Sequence, residues 1–75
     1  MRKTAEQKFQ AAYRYLSANS TWLGRKGGNE VFETGGVLLT IVDHDKKHFY
    51  TKQKAADPRG YEAAKAEILE ALREF

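Results

Sequence analysis

Apolar residues recur at helical spacing near both ends of the chain and at strand-like density between them. Over residues 4–19, Ala5, Phe9, Ala12, Tyr13 and Leu16 fall on one side of a 3.6-residue period, while Lys8, Arg14 and Ser17 fall on the other. Thr4 followed by Gln7 has the form of a capping box, which marks the start of this helix, and Asn19-Ser20 mark its end. A second helix is predicted from Asp57-Pro58, where Asp57 can cap and Pro58 suits the first helical position. Its apolar stripe runs through Tyr61, Ala64, Ile68, Leu69, Leu72 and Phe75.

Between the helices the chemistry changes twice. Thr21 to Gly28 combines three glycines with Arg25 and Lys26, which reads as a basic loop whose start is pinned to the core by Trp22 and Leu23. From Glu30 to Lys54, Val31, Phe32, Val37 to Val42 and Phe49 to Thr51 predict three strands. Gly35-Gly36 supplies a tight turn between the first two, and Asp43 to Lys47 a polar turn before the third. The expectation is a single α+β domain over residues 1–75 in the order α-β-β-β-α, a three-stranded antiparallel meander with two helices on one face.

That arrangement leaves the other sheet face open, and strand parity predicts its composition. A two-residue turn at either Thr34-Gly35 or Gly35-Gly36 puts Phe32 with Val37, Leu39 and Ile41 against the helices. The open face then carries Val31, Leu38, Thr40 and Val42. An odd-length second turn adds His48, Tyr50, Lys52 and Lys54 to it and buries Phe49; an even turn would bury Tyr50 instead. Phe49 has no hydroxyl to satisfy and the even turn would direct Lys52 inward, which favours the odd one. Such a face could dock a protein or be buried in a homodimer.

Composition narrows the function classes. A domain of 75 residues buries only about 60% of its unfolded surface, so a deep substrate pocket would compete with the core for apolar side chains. Without cysteine there are no disulfides or thiolate metal sites. No apolar run is long enough to span a membrane and no leader pattern is visible, which makes the cytoplasm the default expectation. The net charge of +3 comes from 13 basic and 10 acidic residues, and the excess lies before residue 59.

Those basic residues carry the leading functional expectation. Arg25, Lys26, Lys46, Lys47, Lys52 and Lys54, with His48 beside them, could contact phosphates while Trp22 or Tyr50 stacks on a base, which describes non-enzymatic binding of DNA or RNA. The competing expectation is a small regulator or inhibitor of a larger protein, of the phage host-takeover or anti-defence kind, acting through the open face of Val31, Leu38, Thr40, Val42 and Tyr50. Gly24-Arg25-Lys26-Gly27 resembles the G-x-x-G clamp of KH domains, and the α-β-β-β-α order resembles double-stranded-RNA-binding domains. The first lacks its preceding strand; of the second's basic cluster at the start of the last helix only Arg59 and Lys65 stand here, and the short Gly35-Gly36 turn is unlike its groove-probing loop, so neither family is assigned.

Other constellations have ordinary readings. Asp43, His44, Asp45 and His48 carry metal-ligand chemistry, yet are common turn and strand residues, and no metal or cofactor is expected. Glu30 and Glu33 alternate to opposite faces of a strand and so do not converge as an acid–base pair, and no strained nucleophile turn accompanies Ser17 or Ser20. Nothing in the sequence marks a catalytic centre.

Overall fold

The computed structural model describes residues 4–73, with side chains described up to Ala71. Helix α1 spans Ala5–Asn19 and α2 spans Pro58–Arg73. At the start of α1 the Gln7 amide donates to Thr4 Oγ1 at 3.1 Å and the Thr4 amide donates to Gln7 Oε1 at 3.0 Å, completing the capping box. The start of α2 is closed by Asp57, whose carboxylate accepts from the Gly60 amide at 3.0 Å. Both helices thus begin where the sequence places them.

Four strands lie between them rather than three: β1 Thr21–Lys26, β2 Asn29–Thr34, β3 Leu38–Asp43 and β4 His48–Gln53. They form one antiparallel sheet in the order β1-β2-β3-β4. The added strand comes from the segment that composition marks as a basic loop. Two features make it a strand: Gly27-Gly28 closes a tight turn, with Gly27 at φ +61°, and pairing with β2 satisfies the backbone groups. Gly24-Arg25-Lys26-Gly27 is accordingly strand and turn, not a clamp between two helices.

The helices pack on opposite faces of the sheet, so the layering is helix, sheet, helix. Leu23, Val31 and Leu39 pack with Tyr61 and Ile68 of α2. Phe32 and Val42, which alternate with Val31 and Ile41, pack with Phe9 of α1. The physical reason is in β2 and β3 themselves. Val31-Phe32, Leu38-Leu39 and Ile41-Val42 are apolar on both sides of the pleat, and a strand of that kind needs cover on both.

Register differs from expectation at both hairpins. Val37 N donates to Thr34 O at 3.2 Å across Gly35 and Gly36, both at positive φ, but the β2–β3 ladder begins at Thr34 opposite Leu38. Val37 is therefore an extra residue outside the ladder, and Phe32 faces Thr40 and shares a side with Leu38 and Val42 rather than Leu39 and Ile41. The second turn, His44 to Lys47, is even in length, with Asp43 opposite His48. It is held by the Asp43 carboxylate, which accepts from the Asp45 and Lys46 amides at 3.0 Å. The two changes offset each other for Phe49, which still joins Phe32 and lies 5.0 Å from the Phe9 ring.

The open sheet face does not exist. Val31 and Tyr50 point to the α2 side, and Leu38, Thr40 and Val42 to the α1 side. Val31 and Thr40 are each 6% exposed and Val42 is fully buried, so this set cannot form one docking surface. Among the described residues no helix is long and apolar enough to cross a membrane.

Candidate nucleic-acid interface

Strand β1 positions the most distinctive group of side chains. Its pairing with β2 shifts between Trp22, opposite Phe32, and Gly24, opposite Val31. Leu23 is the extra residue of this bulge and turns into the α2 core. Trp22 and Arg25 are three positions apart and would alternate to opposite faces of a regular strand. Because their cross-strand partners are Phe32 and Glu30, the bulge brings them to the same face, the α1 side.

Beneath them lies Glu30, buried at 6% exposure. Its carboxylate accepts from Tyr13 Oη at 2.8 Å and from Trp22 Nε1 at 3.0 Å, and sits 2.6 Å from His44 Nε2. Burial alone would raise this carboxyl, but the hydrogen bonds from Tyr13, His44 and Trp22 outweigh it and hold the group below its ordinary value of 4.5. The same burial, reinforced by the bond to Glu30, raises the Tyr13 phenol, while the nearby Arg25 opposes that rise. The network fixes one end of the indole and leaves the ring 51% exposed. A half-exposed indole held at its N–H keeps a π-face available with little orientational freedom left to lose.

Around this ring the basic residues fall into separate groups. The Arg25 Nε donates to Gly27 O at 3.1 Å, and among the described residues the guanidinium has no ion-pair partner. Lys26 pairs with Glu67 at 3.4 Å, with both side chains largely exposed, an arrangement easily exchanged for another anion. The amide of His44 donates to Gly28 O at 2.9 Å, which ties the β1–β2 turn to the β3–β4 turn. The two turns lie so close at Gly28 that a Cβ there would come within 2.5 Å of a carboxylate oxygen of the exposed Asp45 side chain, which would have to turn aside. Lys46 is thereby brought to the same end of the sheet as Arg25 and Lys26. Lys47 is there too, but its ammonium is engaged by Glu6 at 3.6 Å and by the Phe9 ring.

The remaining predicted residues lie on β4 and just beyond it, His48 next to Lys47 at the turn and the others further along. Lys52 and Lys54 are at the opposite end of the sheet, where Lys52 is half-buried and Lys54 pairs with Glu62 at 3.7 Å. His48 and Tyr50 are on β4 with rings 4.6 Å apart, edge to face, on the α2 side. The structure therefore brings Trp22 and Arg25 to the α1 face, places Lys26 on the α2 side of the same strand, and gathers Lys46, Lys47 and His48 at that end of the sheet, away from Tyr50, Lys52 and Lys54.

Sequence reasoning overlooked Tyr13, Glu30 and His44 as supports for Trp22. Tyr13 reads as part of an apolar stripe, and His44 as a turn residue. The legible signal was Glu30 two positions from Phe32, which places a carboxylate on a core-facing side where it must find donors. Glu33 faces α2 instead and accepts from the Tyr61 hydroxyl, with Lys65 at 3.1 Å, so the two glutamates do not converge. Among the described residues no group of three or more His, Cys, Asp or Glu side chains could hold a metal ion. A pocket of about 140 Å³ lined by Val31, Ile41, Ala64, Ile68, Lys26, Asn29 and Glu67 is smaller than the few hundred Å³ usual for small-molecule sites.

No family model matches this chain, and comparison with curated proteins and with solved structures gave no match.

Proposed function

We propose that the chain is a non-enzymatic nucleic-acid-binding module that holds a single strand along the exposed side of β1. Trp22 stacks on a base and Arg25, on the same face, contacts a phosphate beside it, while Lys26, on the α2 side of the same edge strand, and Lys46, across the neighbouring turn, reach further phosphates. The observation that carries this reading is the pairing of a half-exposed, N–H-anchored indole with Arg25 on one sheet face. Stacking tolerates any base and phosphate contacts carry no sequence information, so discrimination between sequences is weak.

A regulator docking through an open sheet face is less well supported, because Val31, Thr40 and Val42 lie beneath the helices. Lys52 and Lys54 drop out of the proposed interface for reasons of placement.

Fluorescence anisotropy with labelled single- and double-stranded DNA and RNA tests the proposal. Single strands bind more tightly than duplexes. With three phosphates engaged, the logarithm of the binding constant falls against the logarithm of salt with a slope of about −2. Arg25→Ala/Lys26→Ala weakens binding and flattens that slope, whereas Lys52→Ala/Lys54→Ala leaves both nearly unchanged. Absence of binding at low salt contradicts the proposal.

A further inference from the structure

The sheet has two open edges, and they are built differently. Strand β1 is bulged and carries Arg25 and Lys26, devices that discourage pairing with another strand. Strand β4 has neither a bulge nor a proline: all of His48–Gln53 pairs with β3 without a register shift, and its sequence is HFYTKQ. It is regular, rich in aromatic and β-branched residues, and carries one lysine. An edge of that kind is a template for another strand.

The backbone directions of β4 specify how it would pair. Lys54 N donates inward to Val37 O at 2.9 Å. In an antiparallel ladder inward and outward groups alternate, so Lys52, Tyr50 and His48 also point their N–H and C=O groups at β3. Phe49, Thr51 and Gln53 direct theirs outward, away from the sheet.

We infer that β4 pairs antiparallel with β4 of a second copy of this chain, about a two-fold axis normal to the sheet and passing by Thr51. Such an axis keeps each sheet face on its own side, so cross-strand neighbours must share parity. Thr51 then faces Thr51 of the second copy, and Phe49 faces Gln53 of the second copy in both directions, which uses every outward group of the strand. An axis at Tyr50 would leave Gln53 outside the strand pairing. In the Thr51 register Tyr50, 44% exposed in one chain, lies beside Lys52 of the second copy, where the ring face and the ammonium attract. No like charges fall opposite one another within the strand. The result is one continuous sheet of twice four strands, with a β1 edge free at each end.

This inference does not rest on nucleic-acid binding, and its test uses none. In sedimentation equilibrium of the full chain at rising concentration up to the millimolar range, the mass climbs from 8.6 kDa towards twice that value. Thr51→Pro removes an outward N–H that β3 does not use; it keeps the far-ultraviolet circular dichroism of the fold and abolishes the rise. Thr51→Lys does the same by placing two ammonium groups at the axis. The chain has no cysteine, so Thr51→Cys supplies a single thiol that yields a disulfide-linked dimer on mild oxidation, several-fold faster than Tyr50→Cys. A mass fixed at 8.6 kDa over the whole range overturns the inference, as does a dimer that survives Thr51→Pro and Thr51→Lys. Faster cross-linking of Tyr50→Cys would overturn the Thr51 axis.

Discussion

The two faces of the sheet are covered by helices of similar length but by different chemistry. On the α2 side, Leu23, Val31, Leu39 and Ile68 surround Tyr61, whose only polar atom reaches Glu33. On the α1 side, the aromatic cluster of Phe9, Phe32 and Phe49 passes into a polar network around Glu30 and ends in a half-exposed Trp22. The difference teaches that one helix chiefly closes a core, while the other also builds a support for a surface ring. A buried carboxylate is a costly way to fill space, since its desolvation must be met by several donors, whereas an aliphatic side chain needs none. Its role in orienting an exposed indole gives that cost a function.

Substitutions at the two faces separate these roles. The largest expected loss is on the α2 side, where Leu39 is fully buried. Leu39→Ala lowers unfolding stability by about 3 kcal/mol, measured by urea denaturation, through lost burial and the cavity left behind. The emission maximum of the folded variant stays as in the parent, because the α1 side is untouched.

Glu30→Gln acts on the other face. It removes the charge from the acceptor of Tyr13, Trp22 and His44, costs about 2 kcal/mol, and shifts the Trp22 emission of the folded protein. Acid titration sharpens the distinction. The Glu30 and Glu33 carboxyls are both held below 4.5 in the fold, so the stability they contribute is present above that pH and is lost as pH falls through their folded values. Glu30→Gln makes the acid limb shallower, and the remaining slope belongs chiefly to Glu33.

A smaller effect, of about 1 kcal/mol at neutral pH, is expected from Tyr61→Phe, which keeps the α2 packing and removes the bond to Glu33. Burial and that bond push the Tyr61 hydroxyl up to about 12 from an ordinary 10.0. A raised value contributes stability that is full below pH 10 and declines as pH rises towards 12. Tyr61→Phe therefore removes part of the alkaline unfolding limb while leaving the acid limb due to Glu30 in place.

Both helices with their starts and three of the four strands were legible in the sequence, the helix starts because Thr4-Gln7 and Asp57-Pro58 act locally. Strand β1 was not, since its glycines and basic residues carry loop chemistry and only pairing with β2 makes it extended. The layering turned on parity, and one extra residue, Val37, was enough to move Leu39 and Ile41 to the other face from Phe32. Of the proposed interface, Trp22, Arg25 and Lys26 could be named from composition. That Trp22 and Arg25 share a face, with Lys26 on the other, could not, because it depends on a bulge, and the network beneath Trp22 depends on contacts between residues far apart in the chain.

Trp22 is the only tryptophan in the chain, and its emission reports directly on the proposed interface. We would titrate the protein at low salt with unlabelled single-stranded oligonucleotides and follow that emission. Saturable quenching that is reversed by added salt and weakened by Arg25→Ala is the predicted result, since the ring stacks on a base while the guanidinium engages the backbone. Binding detected by anisotropy with Trp22 emission unchanged would place the nucleic acid elsewhere on the molecule and contradict the role assigned to this face.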